Sequence, residues 1–235
     1  MSYLRSAALK ADTPTDRYPF VLPAVAALAG ITFGSFTVLV GDNGTGKSTL
    51  IEALAVAAGF NPEGGSRNLM FETHSTHSEL ADALVLSWTR RPRWGWFLRA
   101  ETFYGMASHI QQDPYLNGTF PDLHNRSHGE SFLALVKSRM VNDGLYLLDE
   151  PESALSFSGQ LKLLYAMHVA GNEGAQFVLA THSPLLMAYP GAVIYELGDH
   201  GASQVSYDDI ESVQLWRSFL DRPERFLQHL LADEP

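Results

Sequence analysis

Short apolar runs alternate with stretches of helical periodicity along this chain, and this alternation predicts its main elements. Continuous apolar or β-branched runs, bounded by glycine or polar residues, are typical of strands buried in a parallel sheet. They predict strands at Phe36–Val40, Trp94–Ala100, Leu145–Leu148, Gln176–Ala180 and Ala192–Leu197. Apolar residues that recur at helical spacing predict the helices between and after them. These helices are Thr49–Ala58, Thr102–Gln112, Ser131–Met140, Gln160–Val169, Asp209–Leu220 and Pro223–Leu231.

Strands that alternate with helices predict an α/β fold with a mainly parallel central sheet and helices on both of its faces. A small antiparallel β region is also expected, because the strands Ala83–Thr89 and Trp94–Ala100 are joined by the short basic turn Arg90–Arg93 and can form a hairpin. Another strand is predicted at Tyr3–Lys10. The length of 235 residues suits a single domain, 1–235.

The sequence GDNGTGKS at Gly41–Ser48 lies between the first of the buried strands and a predicted helix. It fits the pattern G-x-x-x-x-G-K-[ST], in which glycines let several backbone N–H groups converge on a phosphate chain. Lys47 would reach the terminal phosphates, and the Ser48 hydroxyl would bind Mg²⁺. The sequence therefore predicts that the chain binds a nucleoside triphosphate. The expected contacts are Gly41, Asp42, Asn43, Gly44, Thr45, Gly46, Lys47, Ser48 and Thr49.

Two acidic residues, Asp149 and Glu150, directly follow the predicted strand Leu145–Leu148. In enzymes with such a phosphate loop, an acidic residue at the end of a strand holds Mg²⁺ directly or through water. An adjoining glutamate can orient and deprotonate the attacking water. We therefore predict that Asp149 binds the metal and that Glu150 is the general base.

Thr181, His182 and Ser183 end the next buried strand. Carboxyl ends of parallel strands meet at one edge of a sheet, so His182 is expected near the phosphate loop, where it can bind the γ-phosphate or the attacking water. Ser127 and Gly129 stand just before an apolar helix, where a hydroxyl and a glycine can form a second anion site.

The order of these motifs resembles that of the ATP-binding cassette ATPases. GDNGTGKS, SHGES, LYLLDEPESALS and ATHS follow one another within Phe36–Ser183. SHGES resembles the signature sequence of that family, Ser153–Ser156 its D-loop, and His182 its switch histidine. The DEPE variant and the divergent signature look closer to SMC-type repair ATPases and compact bacterial AAA-family ATPases than to transporter subunits. Only Thr102–Arg126 lies between the strand Trp94–Ala100 and the signature, and this segment has no heptads. The chain therefore resembles a head with a short helical subdomain and no coiled-coil arms.

The resemblance implies ATP hydrolysis with ATP and Mg²⁺ as cofactors, in a head-to-tail homodimer that ATP closes and hydrolysis opens. Ser127 and Gly129 of one chain would contact the γ-phosphate bound by Lys47 of the other. Glu101 follows a strand where the family has its Q-loop glutamine, so the resemblance implies that it contacts Mg²⁺ or the attacking water. Tyr18 and Phe20 are the candidates for stacking on adenine.

Composition limits the remaining function classes. The chain has no cysteine, which excludes disulfides and thiolate metal sites, and a cytoplasmic location is the simplest expectation. No apolar run approaches the length of a membrane span. A net charge of −10 argues against a protein whose whole surface binds nucleic acid, although it leaves room for a local basic patch.

Two weaker patterns each allow two interpretations. Arginines interleaved with tryptophans over Trp88–Arg99 could bind nucleic acid, or could be ordinary cross-strand pairs and a solvated turn. His74 and His77 could bind a metal, but a polar loop explains them as well. Two other functions also remain open. One is a P-loop kinase acting on a small molecule, and the other is a slow or non-catalytic ATP-gated subunit that binds an unknown protein in a defence, repair or transport complex.

Overall fold

The computed structural model describes residues 2–66, 79–103, 128–140 and 143–232. The strands in these ranges are β1 (Leu4–Leu9), β2 (Phe36–Gly41), β3 (Leu84–Trp88), β4 (Trp94–Arg99), β5 (Gly144–Asp149), β6 (Gln176–Ala180), β7 (Val193–Gly198) and β8 (Gly201–Val205). The α-helices are α1 (Pro23–Ala26), α2 (Lys47–Ala57), α3 (Glu79–Ala83), α4 (His128–Arg139), α5 (Phe157–Asn172), α6 (Pro184–Met187), α7 (Glu211–Asp221) and α8 (Pro223–Ala232). None of the helices in this part of the chain has the length and apolarity that crossing a membrane requires.

A six-stranded sheet in the order β4-β5-β6-β2-β7-β8 forms the centre of the molecule. Its first five strands are parallel, and β8 pairs antiparallel with β7. Arg99 pairs in register with Asp149, Asp149 with Ala180, and Leu39 with Ala180. The carboxyl ends of four neighbouring strands therefore lie at one edge, which is where open α/β sheets bind ligands.

Helices cover both faces of this sheet, as the sequence predicts. Along β6, Phe177 and Leu179 pack with residues of α4 and α5, whereas Val178 and Ala180 pack with residues of α2. This alternation follows from the two-residue period of a strand. Every residue of β5 and β6 is buried, since both strands lie inside the sheet with helices above and below. Two apolar layers thus hold the edge that carries the polar site residues.

The five strands predicted from apolar runs are confirmed to within one residue at either end. The predicted hairpin is wrong, because its two strands lie in different sheets. β3 pairs antiparallel with β1 in a separate two-stranded sheet, whereas β4 pairs in parallel with β5. The burial of the strands explains this difference. Phe97 in β4 is fully buried, while Val85 in β3 is 53% exposed, so β3 suits an outer sheet with one solvated face.

Helix α5 and strand β8 are among the elements that differ from the sequence prediction, each for a local reason. Helix α5 begins three residues before the predicted Gln160, because the Ser156 hydroxyl caps it by accepting a hydrogen bond from the Gly159 N–H at 3.2 Å. Strand β8 has no apolar run and was not predicted, since its residues are mostly half-exposed at the sheet edge. Some of the predicted features lie outside the described residues. They are the helix Thr102–Gln112 beyond Phe103, the short helical subdomain, Ser127, and the pair His74 and His77.

Candidate nucleotide-binding site

The loop between β2 and α2 has the backbone conformation of a phosphate-binding loop. Gly41 and Gly46 have φ angles of 144° and 90°, a region in which residues with a side chain are strained. At Gly41 a Cβ would lie 2.3 Å from the carbonyl oxygen of Leu197 on the adjacent strand β7. Gly46 is the N-cap of α2, so the positive end of the helix dipole adjoins the loop and favours an anion there.

Lys47, the first residue of α2, folds its side chain back into this loop. Its Nζ donates hydrogen bonds to the carbonyl oxygens of Gly41 at 2.7 Å and Asp42 at 2.9 Å. The side chain is buried, and burial lowers the pKa of Lys47, while the nearby carboxylates of Glu150 and Asp149 oppose that shift. A cation fixed in the concavity of the loop is what recognition of terminal phosphates requires.

Asp149 ends β5 beside the start of α2. Its carboxylate is 4% exposed and forms a hydrogen bond with the Ser48 side chain. Burial raises the pKa of Asp149 to about 6, although the neighbouring Arg99 and Ser48 lower it. Oδ1 of Asp149 is fully buried and has no hydrogen-bond partner in the described part of the chain. A buried carboxylate oxygen with a free lone pair, next to a serine hydroxyl, fits the oxygen ligands that Mg²⁺ takes beside phosphate.

The raised pKa makes a prediction about stability. Because the pKa of Asp149 rises from 3.8 unfolded to about 6 folded, its protonated form stabilises the fold below pH 4, and this contribution is lost as the pH rises through about 6. In buffer with EDTA and no nucleotide, Asp149→Asn should therefore be more stable than the wild type at pH 7.5, by about 3 kcal/mol at most. Urea unfolding at pH 4.5, 6 and 7.5 measures the difference, which should shrink toward low pH. Asp16→Asn, on the exposed surface, should show no such trend. A difference independent of pH would contradict the assignment.

Glu150 and His182 face each other at the carboxyl edge of the sheet. Glu150 Oε1 lies 3.7 Å from His182 Nε2, and both side chains are about two-fifths exposed. Glu150 has φ 44° and ψ 51°, a left-handed conformation that is strained for a glutamate and is often found at functional sites. Its N–H is held by the carbonyl oxygen of Ala180 at 2.9 Å. This backbone directs the carboxylate into a cleft of about 350 Å³ that the phosphate loop also lines.

Three site residues were missed by the sequence reasoning. Glu152 accepts a hydrogen bond from the backbone N–H of His182 at 2.6 Å and so ties the two loops together. Arg99 and Glu52 form an ion pair beside Asp149, with 2.6 Å between Arg99 Nη1 and Glu52 Oε2. Arg99 belongs to the pattern of arginines interleaved with tryptophans over Trp88–Arg99, but it is only 21% exposed. The available signal was a basic residue at the end of one predicted strand and an acidic residue at the end of another. The signal can be recognised only when the order of the strands in the sheet is known.

The remaining predicted residues lie in different surroundings. Glu101 is 87% exposed and its Oε2 lies 4.0 Å from Nε of Arg99, so it borders the site. Gly129, near the start of α4, is close to the turn after β5, where its Cβ would lie 3.2 Å from the carbonyl oxygen of Ala154. Of the two candidate aromatic residues, Tyr18 is 69% exposed and lines the cleft, whereas Phe20 is buried in the core and cannot stack on a base.

Comparison with known proteins relates this site to a family. The family model described as "AAA domain, putative AbiEii toxin, Type IV TA system" matches residues 36–88 and 131–188, which include the phosphate loop, Asp149, Glu150 and His182. No curated protein matches the chain. Similar solved structures include the SMC head domain from Thermotoga maritima, with 16% identity and a TM-score of 0.49, covering 87% of this chain and 100% of that one.

Two further solved structures are similar at the same level. One is described as "An inward-facing conformation of a putative metal-chelate type ABC transporter", with 18% identity and a TM-score of 0.46 over 77% of this chain and 75% of that one. The other is an SMC head bound to the C-terminal winged-helix domain of ScpA, with 15% identity and a TM-score of 0.43 over 74% and 91%.

Proposed function

We propose that this chain is a P-loop ATPase of the ABC- and SMC-like type and that it binds ATP with Mg²⁺ and hydrolyses it to ADP and phosphate. The observation that carries the proposal is the placement of Glu150. Its carboxylate lines the same cleft as Lys47 and Ser48, on a strained backbone that the neighbouring strand holds in place. A carboxylate beside a phosphate site can accept a proton from water, which is the chemistry that hydrolysis needs.

In this proposal, each of the site residues has a separate role in hydrolysis. Lys47 and the loop amides bind the phosphates, and Ser48 and Asp149 would hold Mg²⁺, which neutralises charge on the phosphates when bound. Glu150 orients the attacking water and takes its proton. His182, 3.7 Å from Glu150, donates a hydrogen bond to the γ-phosphate or to that water. Glu101 stays a candidate for a further water or Mg²⁺ contact at the border of the site.

The active form in this proposal is an ATP-dependent homodimer. Gly129, near the start of α4, lies close to the turn at Ala154 that follows Glu150, and α4 packs against α5. By the resemblance to the cassette ATPases, Gly129, together with Ser127 outside the described residues, would act in the site of a second copy. A symmetric head-to-tail pair would then complete two sites at once. Completing a phosphate site from a neighbour can raise hydrolysis by about 10³-fold or more, by analogy with arginine fingers.

Phosphate release from ATP, without any added acceptor, tests the reaction. Release with this chain alone supports hydrolysis, whereas ADP formation only with an added acceptor, without release of inorganic phosphate, would favour the kinase alternative. The same assay over a wide range of protein concentration tests the dimer. Specific activity should rise with concentration and saturate. Rapid turnover that remains proportional to protein at high dilution would overturn the in-trans site.

A slow, ATP-gated binding subunit is the second candidate, and an exposed apolar surface favours it. Four side chains on one side of α5 follow one another at four-residue spacing and are all at least 42% exposed. They are Phe157, Leu161, Tyr165 and Val169. Contiguous exposed apolar residues on a folded chain often mark a protein interface. Low turnover even at saturating protein, together with ATP-dependent capture of a partner, would favour this candidate.

Tyr18 makes a prediction about base recognition. Because its exposed ring lines the cleft, Tyr18→Ala should weaken ATP binding by roughly 5- to 100-fold, the range that loss of one base–aromatic stack gives. Binding of inorganic triphosphate should change little, since it has no base. Titration calorimetry with both ligands separates the two effects. Tyr165→Ala, equally exposed but on α5, is the matched control. Equal losses for ATP and triphosphate would remove Tyr18 from base recognition.

A further inference from the structure

A buried arginine joins two carboxylates from different elements at the metal end of the site. Arg99, the last residue of β4, has its Nη1 2.6 Å from Glu52 Oε2 on α2 and its Nε 3.3 Å from Asp149 Oδ2 on β5. The parallel register places Arg99 directly beside Asp149. Glu52 is four residues after Ser48 on α2, so both side chains lie on the same side of the helix. The guanidinium of Arg99 therefore contacts Asp149 directly, and through Glu52 it contacts the helix that carries Ser48.

The burial of this trio sets it apart from a surface ion pair. The side chains of Arg99, Glu52 and Asp149 are 21%, 19% and 4% exposed. Taking charges out of water costs free energy, which is recovered only with good geometry and further hydrogen bonds. Here only the contact between Arg99 and Glu52 has good geometry. Nε of Arg99 and Oδ1 of Asp149 are buried without a hydrogen-bond partner among the described residues. An arrangement that satisfies one carboxylate and leaves the other partly unsatisfied serves stability poorly.

We propose that Arg99 is a positioning residue for the divalent cation that accompanies ATP. It contacts Oδ2 of Asp149 and so fixes the orientation of a carboxylate that also forms a hydrogen bond with the Ser48 side chain and keeps Oδ1 unpaired. Glu52 holds the guanidinium through its short contact, so that Arg99 does not neutralise Asp149 completely. Because Glu52 and Ser48 belong to one helix, the same contact also fixes the distance between the serine hydroxyl and the aspartate. This inference rests on the proposed use of ATP with Mg²⁺.

The inference makes a specific claim about metal affinity. Partners that orient a metal ligand without touching the metal typically contribute about 10- to 100-fold to affinity. Arg99→Met keeps an unbranched apolar stem but removes the guanidinium with its charge and its donors. With a non-hydrolysable ATP analogue bound, this variant should bind Mn²⁺ about 10-fold or more weakly than the wild type, measured by electron paramagnetic resonance of free and bound Mn²⁺. Affinity for the analogue in EDTA should change less than about 2-fold, since Lys47 and the loop remain.

Matched variants separate positioning from folding. Arg99→Lys keeps the charge but cannot bridge two carboxylates, so its Mn²⁺ affinity should fall between those of wild type and Arg99→Met. Glu52→Gln keeps the size of the side chain and should weaken Mn²⁺ binding several-fold. It takes the place of Arg99→Met as the test if that variant does not fold. Arg217→Met removes an arginine from an exposed ion pair with Asp208 and should change nothing.

The outcomes distinguish this inference from the proposed function. If the wild type binds neither the analogue nor Mn²⁺, the proposed function fails. If the wild type binds both and the Arg99 and Glu52 variants bind Mn²⁺ equally well or more tightly, the positioning role is wrong and Arg99 only fills space or competes with the cation. Loss of analogue binding in EDTA to the same extent as loss of Mn²⁺ would also overturn it, because the whole site would then have collapsed.

Discussion

Glu150→Gln should abolish nearly all ATP turnover, by about 10²- to 10⁴-fold, while ATP binding remains near the wild-type level. Glutamine has the shape of glutamate and can still accept a hydrogen bond from water, but it cannot take the proton. The strained backbone at φ 44° is held by Ala180 and does not depend on the side chain, so the substitution should leave the loop in place. Phosphate release and titration calorimetry measure the two quantities.

The same variant should accumulate the ATP-bound dimer, because hydrolysis is what opens it in the proposed cycle. Light scattering with ATP and Mg²⁺ should show twice the monomer mass for Glu150→Gln and a smaller average mass for the wild type. Glu224→Gln, an exposed glutamate on α8, is the control and should behave as wild type. Hydrolysis at the normal rate in Glu150→Gln would remove this residue from the mechanism.

Gly41→Ala should destabilise the protein by about 2–4 kcal/mol and strongly weaken ATP binding. The added Cβ would lie 2.3 Å from the carbonyl oxygen of Leu197, and that oxygen belongs to a strand paired with β2. Backbone in a ladder cannot move aside as a flexible side chain can. Either β2 and β7 separate at their ends or the phosphate loop shifts, and both displace the amides that bind phosphate. Urea unfolding and binding of the non-hydrolysable analogue test the two effects.

A glycine elsewhere supplies the control for backbone strain alone. Gly191 has φ 77°, and a Cβ added there meets nothing within 4 Å. Gly191→Ala should therefore cost only about 1 kcal/mol, from the left-handed backbone, and leave ATP binding unchanged. If both alanine variants lose the same stability, the close approach to Leu197 has no energetic weight.

Much of the fold could be predicted from the sequence because its central strands are buried on both sides. The runs at Phe36–Val40 and Gln176–Ala180 consist almost wholly of apolar or β-branched residues, so their strand character does not depend on the partner. The phosphate loop could also be predicted, since its glycines and Lys47 act within a few residues of chain. Local chemistry was enough for both.

The pairing of strands and the charge network could not be predicted in the same way. Strands β3 and β4 are close in sequence, but β4 is buried on both faces, with Phe97 in one apolar layer and Leu98 in the other, and so lies in the central sheet. Arg99, Glu52 and Asp149 come from three elements, and their contact depends on the register of β4 against β5. Arginines interleaved with tryptophans form the same local pattern around Arg99 as around Arg90, although the two side chains have different surroundings.

The hydrogen bond from His182 N–H to Glu152 joins the loop after β6 to the turn after β5. Directly after His182, Ser183 caps α6, and α6 contacts α7. On α7, Trp216 is half-exposed. A displacement of the Glu150 turn on loss of the terminal phosphate would thus be carried, through a few contiguous contacts, to an outward-facing tryptophan. The fluorescence of Trp216 would then change during the ATPase cycle and report on it from a position far along the chain from Glu150.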